Sequence, residues 1–399
     1  MAAPTSASSV SRGLNLASLR RVRRLWNEDV QRITVSELWS QNGELQESPE
    51  QRQLRLARQT HQQLKLRIAH RLKDFLFLPY KTMSNPSVRL LYEKYVAAYS
   101  MHEDFGEISS TSTASAYWQG LAHTFEDHQN VTLLLGLARR RLIRLDPTLA
   151  PTLDAFFSRF FVSRIGTHLL GACFLQQAAL PGARKPGGVA MGVLQPTCPA
   201  TFLQDLAESI NSASGGPRVP VEILGATDAS ILYIPGHLRV ILREILQNSM
   251  LASATLAEAH GKSEPIAVRV QINQGQFGVF VTVSDKAGGI VNSERLWSWG
   301  QDPALLQDLE PEAGAPGGAQ KLSSEDSEGE EEELLASRTS GVRMPLGFGL
   351  PVARLTARYF GGDVRLQTLL GYGTNVYAHI PQLQGNIGSD DSSASIIRP

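Results

Sequence analysis

Residues 237–250 form an amphipathic stretch that places strong limits on the fold of this chain. Its apolar residues recur at the spacing of one helical face, which predicts a helix with a single apolar stripe. The stripe consists of Leu238, Ile241, Leu242, Ile245 and Leu246. Glu244 and Asn248 lie one helical turn apart on its flank. Such a pair can line a cavity, and a carboxamide oxygen suits Mg²⁺, but alone the pair is more often ordinary helix surface.

Three glycine-bearing stretches follow this helix in order. An alternating strand from Val279 ends in Asp285, shortly before Gly288 and Gly289. A Gly-x-Gly-Leu-Pro sequence then leads into a predicted helix, and a Gly-x-Gly-Thr sequence leads into a strand. The first of these contains Leu346, Gly347, Phe348, Gly349 and Leu350, and the second contains Gly371, Gly373 and Thr374. Each stretch by itself is often only a tight turn.

In this order the four pieces resemble the GHKL superfamily. It is the ATP-binding fold shared by histidine kinases, type II topoisomerases, mismatch-repair ATPases and a heat-shock chaperone class. The resemblance implies that Asp285 accepts a hydrogen bond from the exocyclic amine of adenine, while glycines let the backbone approach the base. Amides at the start of the following helix favour phosphate. The implied ATP-binding residues are Asn248, Asp285, Gly288, Gly289, Leu346, Gly347, Phe348, Gly349, Leu350 and Thr374.

The same resemblance implies a phosphate-transfer role for the helical pair. Asn248 would hold Mg²⁺ against the phosphates of ATP, and Glu244 would act as the general base on an attacking hydroxyl. Asn248 is therefore both the predicted metal ligand and part of the predicted ATP site.

The domain organisation follows composition and periodicity. We expect an α + α/β protein: a four-helix-bundle-like domain, then an α/β sandwich with a mixed sheet and helices on one face. The predicted segments are a transit peptide (1–27), the bundle (50–185), the ATP-binding domain (189–382) with a lid insert (301–343), and a flexible tail (383–399). A Pro/Gly-rich break at residues 181–188 separates the domains.

Individual elements are predicted from the same patterns. In the bundle, helices are expected over 53–78, 86–99, 116–145 and 151–177, with a Ser/Thr-rich loop over 109–115. In the second domain, strands are expected over 189–194, 219–224, 231–234, 266–272, 279–283, 363–368 and 374–380, and helices over 198–210 and 350–360. Asn273-Gln-Gly-Gln between two alternating strands predicts a hairpin.

The first 27 residues are basic and contain no acid. Their arginines are Arg12, Arg20, Arg21, Arg23 and Arg24, and leucines and a valine share one side of a possible helix. This pattern is typical of a mitochondrial transit peptide, so these residues are expected to stand outside the fold. A disordered basic tail is the alternative.

The whole chain has no charge bias. Its 399 residues carry 38 basic and 38 acidic side chains, so no overall field favours nucleic acid. We expect no membrane span, because no apolar run has the required length. Cys173 and Cys198 lie far apart in sequence, which argues against a disulfide scaffold.

Over roughly residues 60–382 the chain resembles one branch of the superfamily: the mitochondrial kinases of the 2-oxoacid dehydrogenase complexes, of pyruvate or branched-chain type. The resemblance rests on Phe77-Leu-Pro-Tyr, Asp127-His-Gln-Asn-Val and Phe160-Phe-Val-Ser-Arg-Ile, together with the motifs at Glu244 and Gly347. It implies an ATP-dependent serine kinase in the mitochondrial matrix that phosphorylates and inactivates the E1 subunit. It also implies a homodimer and docking on the lipoyl domain of E2.

The departures from the family pattern leave alternatives open. The family places cations where this chain has Gln247 and Leu251, and a glycine where it has Pro345. Losing charge-assisted bonds typically costs about 1.5–3 kcal/mol each, so a catalytically weak or inactive ATP-binding regulator is the second reading. A third reading, an ATP-driven clamp, predicts a transducer domain after the ATP site and is the least favoured.

Overall fold

The computed structural model describes residues 16–30, 33–34, 48–178, 194–214, 216–262, 264–300, 347–383 and 396–397. Several predictions therefore fall outside the described residues. They are the lid insert at 301–343, Leu346, Pro345, the domain break at 181–188, most of the tail and nearly all of the strand expected over 189–194.

The amino-terminal half is helical, as expected. Its helices are α1 (Leu16–Leu25), α2 (Pro49–Leu76), α3 (Tyr80–Met83), α4 (Pro86–Asp104), α5 (Thr111–Asp127), α6 (Val131–Leu145) and α7 (Ala150–Ala178). Helix α2 packs against α4 and α7, and α4 packs against α6. Buried aromatic rings fill the centre of this bundle, with Phe75 in edge contact with Phe156 and Phe160.

Two predictions in the bundle are wrong. The stretch 109–115 is a helix start rather than a loop, because the Ser110 hydroxyl accepts the Thr113 amide and forms a capping box. The single helix expected over 116–145 is two helices, α5 and α6. A 3₁₀ turn, His128–Asn130, separates them.

Helix α1 is also part of the packed structure. It packs on α2, and Val22 is buried within the same core cluster as the bundle residues. The helix foreseen in this stretch is confirmed, whereas its exclusion from the fold is wrong for residues 16–25. The assignment of residues 1–27 as a transit peptide stays a prediction.

The carboxy-terminal half contains a mixed sheet. Its strands are β3 (Val221–Gly225), β5 (Val268–Gly275), β6 (Gly278–Asp285), β7 (Asp363–Leu369) and β8 (Gly373–Pro381). In the described part of the chain they form one sheet in the order β3-β5-β6-β8-β7. β3 and β5 are parallel, and the other neighbours are antiparallel, including the predicted β5–β6 hairpin.

Two short segments lie apart from the main sheet. β2 (Gln195–Thr197) pairs antiparallel with β4 (Ile231–Tyr233). β1 (Ile33–Thr34) pairs antiparallel with β9 (Ile396–Ile397). No helix among the described residues is long and apolar enough to cross a bilayer.

Helices cover one face of the sheet. They are α8 (Pro199–Ser214), α9 (Pro235–Ala259) and α10 (Gly349–Tyr359). Helix α9 packs on β6, and α10 packs on β7 and on α9. Burial alternates along the strands accordingly. Val270, Val281 and Val283 are fully buried, whereas Phe280 and Tyr377 are exposed. The predicted α/β layering is therefore confirmed.

Candidate functional site

Helix α9, which packs on both β6 and α10, carries the predicted pair Glu244 and Asn248. The five residues of its apolar stripe are completely buried, so the sequence-based stripe is confirmed. Glu244 is half-buried and Asn248 is exposed. The pair therefore lies at the rim of the buried face, where its polar groups remain accessible.

The carboxylate of Glu244 lies against the start of α10. A Cβ atom added to Gly349, the first residue of that helix, would overlap Glu244 Oε2. The Glu244 side chain of α9 thus approaches the backbone at position 349 closely, and a Cβ there would require that side chain to move. The first turn of a helix has unpaired N–H groups and a partial positive charge, so it is a favourable place for a carboxylate or a phosphate.

Asp285 lies at the end of β6, where it is only 6% exposed. Its Oδ1 accepts the amide of Ala287 at 3.0 Å. Burial raises the pKa of Asp285 above its ordinary value, while hydrogen bonds from the Ala287 and Thr374 amides and from Ser249 partly oppose the rise. A buried carboxylate of this kind is a strong acceptor for a donor that enters the site.

Strand β8 supplies the neighbouring wall. In the β6–β8 register Thr374 stands opposite Asp285, and Thr374 is buried. Its hydroxyl oxygen lies 3.2 Å from that of Thr368, whose Oγ1 accepts the Ile290 amide at 2.8 Å. The predicted Thr374 is therefore beside Asp285, and a second threonine supports it.

The glycine pair after Asp285 adopts backbone that favours glycine. Gly288 and Gly289 have φ of +87° and +79°. A Cβ on Gly289 would also overlap the carbonyl oxygen of Leu369. The Gly371 amide donates to the Gly288 carbonyl at 2.8 Å, which ties this loop to the turn before β8. A cavity of about 210 Å³ opens beside the loop, between Gly288, Gly371 and the end of α9.

The two ends of the insert lie side by side. The amide of Gly300 donates to the carbonyl of Gly347 at 3.0 Å, although residues 301–346 separate them in sequence. Gly347 has φ of +65°, as the tight turn before α10 requires. This hydrogen bond places Gly300 directly beside the turn that leads into α10.

Both ends are also packed against helix α7 of the bundle. Trp299 stacks on Phe161 with ring centroids 4.8 Å apart, and its indole N–H donates to Ser158 Oγ at 3.0 Å. Phe348, a predicted ATP-binding residue, is buried, and its ring is in edge contact with that of Phe157 at a centroid distance of 5.4 Å. The Gly349 side of the site thus depends on the other domain.

The structure brings most predicted residues into two groups joined by α9. Glu244 with Gly347, Phe348 and Gly349 forms the first group, with half-buried Leu350 following in α10. Asp285, Gly288, Gly289 and Thr374 form the second. Asn248 lies on α9 one turn after Glu244, and Leu346 falls outside the described residues.

Sequence reasoning missed several residues of this site. Ser249 and Thr368 contact Asp285 and Thr374, but isolated hydroxyl residues carry no distinctive pattern. Trp299 and Ser158 were also missed. The phenylalanines of α7, at 156, 157, 160 and 161, were a usable signal, because such a run requires more aromatic partners than one helix provides.

Gln247 and Leu251 occupy the positions where the family pattern has cations. Leu251 is 56% exposed at the surface of α9, and Gln247 is half-buried. Neither side chain supplies a positive charge to the Glu244 side of the site.

Comparison with known proteins extends along most of the chain. Residues 32–183 match the family model described as mitochondrial branched-chain alpha-ketoacid dehydrogenase kinase. The chain is 27% identical over 348 residues to the mitochondrial pyruvate dehydrogenase (acetyl-transferring) kinase of Arabidopsis thaliana, covering 84% of this chain and 87% of the relative.

Two mammalian relatives show similar likeness. Isozyme 4 of the mitochondrial pyruvate dehydrogenase kinase from Mus musculus is 26% identical over 340 residues, covering 81% of this chain and 75% of the relative. Isozyme 1 from Homo sapiens is 25% identical over 345 residues, covering 81% of this chain and 72% of the relative.

Proposed function

We propose that the chain is a divergent member of the mitochondrial 2-oxoacid dehydrogenase kinase family and an ATP-dependent protein serine kinase of the mitochondrial matrix, since it is similar to such kinases over most of its length. Its substrate is the E1 subunit of a 2-oxoacid dehydrogenase complex, of pyruvate or branched-chain type, and phosphorylation inactivates that complex. One observation carries the proposal. Helix α9 places the Glu244 carboxylate beside the start of α10, and through Ser249 the same helix contacts the buried Asp285 at the end of β6.

The strand side is the proposed adenine site of a GHKL fold. Asp285 is buried and already accepts an amide, so a further donor such as an exocyclic amine would find a desolvated acceptor. Gly288 and Gly289 keep the adjoining backbone free of side chains. Thr374 adds a hydroxyl beside the carboxylate.

The helix side is the proposed phosphate site. Gly347, Phe348 and Gly349 lead into α10, whose first-turn N–H groups favour a phosphate. Asn248 would be the Mg²⁺ ligand, and its exposed carboxamide offers the hard oxygen that this ion prefers. When bound, Mg²⁺ neutralises charge on the phosphates.

Glu244 is the proposed general base. Its carboxylate lies beside the phosphate-binding helix start, so it can take the proton of a serine hydroxyl as the serine oxygen bonds to the γ-phosphorus. The bond from that phosphorus to the β–γ bridging oxygen breaks, and ADP leaves. The products are phosphoserine on E1 and ADP.

The proposed partners include a second copy and the E2 lipoyl domain. The sheet leaves apolar side chains exposed, and Leu224, Phe280 and Tyr377 are between 36% and 49% accessible. Such a surface supports a homodimer built on the sheet. Docking on the lipoyl domain is proposed from family membership alone.

A second candidate is an ATP-binding regulator with little or no transferase activity. The observation in its favour is that Gln247 and exposed Leu251 stand where the family has cations. The clamp reading gains no support, because the relatives reported above are named as kinases.

A transfer assay separates the two candidates. The protein is incubated with labelled ATP, Mg²⁺ and purified E1 of pyruvate or branched-chain type, alongside Glu244→Gln. Label on an E1 serine that the variant fails to produce supports the kinase. Magnesium-dependent ATP binding without transfer to either E1 supports the regulator, and no ATP binding at all rejects both.

A further inference from the structure

Helix α1 lies within the stretch that resembles a removable targeting peptide, yet it is built into the bundle core. Val22 is only 1% exposed and belongs to the cluster that includes Leu72 and Tyr95. Leu25 and Trp26 pack against the same cluster. The apolar side of the basic helix is therefore an interior surface of the folded protein.

Polar contacts fix the helix in the same position. The Arg21 guanidinium pairs with Glu103 of α4, with Nε 2.6 Å from Oε1, and the Ser18 hydroxyl donates to Oε2 at 2.9 Å. The indole N–H of Trp26 donates to the Ala69 carbonyl at 3.0 Å. These bonds reach two different bundle helices, so α1 has one defined docking geometry.

The electrostatics of Glu103 depend on α1. Its side chain is only 11% exposed, and desolvation raises its pKa. Hydrogen bonds from Arg21 and Ser18 outweigh this, so the pKa of Glu103 lies below its ordinary value. Without α1 the carboxylate would lose its hydrogen bonds from Arg21 and Ser18, and it would keep the bond from the Tyr99 hydroxyl, at 3.2 Å, and the charge of nearby Lys65. A partly buried carboxylate that loses its cationic partner and its hydrogen bonds lowers the stability of the folded protein.

We propose that residues 16–30 belong to the mature folded protein and that any cleavage of a targeting peptide occurs before Leu16. The same helix then has two successive uses. In the unfolded precursor its apolar and basic faces form the targeting pattern, and after import the apolar face is buried in the bundle. Arg20, Arg23 and Arg24 remain exposed on its outer side.

The two uses exclude each other in time. Val22 is inaccessible once α1 has docked, so a receptor that reads the apolar face must bind before the bundle folds. This inference goes beyond the proposed kinase function and does not depend on ATP or E1.

Identifying the mature amino terminus tests the proposal directly. The full chain is expressed in cultured cells with a carboxy-terminal tag, recovered from their mitochondria, and its first residue is determined by mass spectrometry. A first residue at or before Leu16 is expected. A first residue after Leu16 would overturn the proposal, whether or not the protein proves to be a kinase.

Stability of the full-length recombinant protein gives an independent test. Val22→Asp places a charge in the core and is expected to lower Tm by about 4 °C or more. Arg20→Asp introduces the same residue on the exposed side of α1, outside its last turn, and should leave Tm nearly unchanged. Should Val22→Asp fail to fold, Arg21→Gln against Arg24→Gln makes the same comparison with a smaller shift. Equal Tm values within each pair would overturn docking of α1.

Discussion

The Asp285 side of the candidate site is held by neighbouring strands of one sheet, whereas the Gly349 side is held by a helix of the other domain. Asp285 and Thr374 face each other through strand register. Gly347 and Phe348 owe their position to Gly300, Trp299 and helix α7.

Each half of the site is therefore sensitive to different substitutions. The strand side should tolerate changes in the bundle, because the contacts described around Asp285 come from the sheet and from Ser249 of α9. The helix side should respond to substitutions in α7, although α7 contributes no predicted ATP-binding residue. Substitutions on each side should therefore have separable effects on phosphate transfer, nucleotide affinity and stability.

Removing the proposed base should have the largest effect and should act on the helix side alone. Glu244→Gln is expected to reduce phosphate transfer to E1 by about 10²–10⁴-fold, the usual range for general-base catalysis. ADP affinity, measured by calorimetry, should change little because Asp285 is untouched. A large loss of ADP affinity would show that the two sides are not separate.

Removing the charge on the strand side should weaken binding instead. Asp285→Asn is expected to raise the Kd for both ATP and ADP by about 10–100-fold, since hydrogen bonds to charged groups contribute about 1.5–3 kcal/mol. Asp205→Asn, on the exposed side of α8, is the matched control and should bind normally. Unchanged affinity in Asp285→Asn would remove this residue from the site.

Removing the contact of Trp299 with helix α7 should lower both the stability of the protein and its rate of phosphate transfer. Trp299→Ala is expected to lower the free energy of unfolding by about 3–5 kcal/mol, the usual cost of truncating a buried aromatic residue. Transfer should fall more than ADP affinity does, because the strand side keeps its contacts while the proposed phosphate site loses its packing on the bundle. Tyr80→Ala, which truncates an exposed aromatic residue of the bundle, should change neither quantity.

The smallest change isolates one hydrogen bond of that link. Ser158→Ala removes the acceptor of the Trp299 indole N–H and is expected to cost about 0.5–1.5 kcal/mol of stability. Chemical denaturation measures this cost, with Ser212→Ala on α8 as the control. A stability loss equal to that of Trp299→Ala would show that ring packing contributes little.

Much of the site could be predicted because its signals are local. The stripe of α9, the alternating strand that ends in Asp285 and the glycine turns each occupy a short stretch, and their periodicity follows from backbone geometry. The start of α5 is also locally encoded, although its Ser/Thr-rich composition predicts a loop and Ser110 is in fact a helix cap.

Contacts between distant stretches could not be predicted in this way. Nothing adjacent to Trp299 indicates that Ser158 will accept its N–H, because 141 residues separate them. The pairing of Arg21 with Glu103 across 82 residues is equally hidden.

The order of helices and strands and the chemical types at the candidate site follow from the sequence alone, since both depend on short-range spacing. The approach of Glu244 to Gly349, the packing of the helix side on the bundle and the burial of the apolar face of α1 arise only in the folded chain. The physical reason is that side-chain packing and buried charge pairs form between surfaces whose proximity is settled by the whole chain.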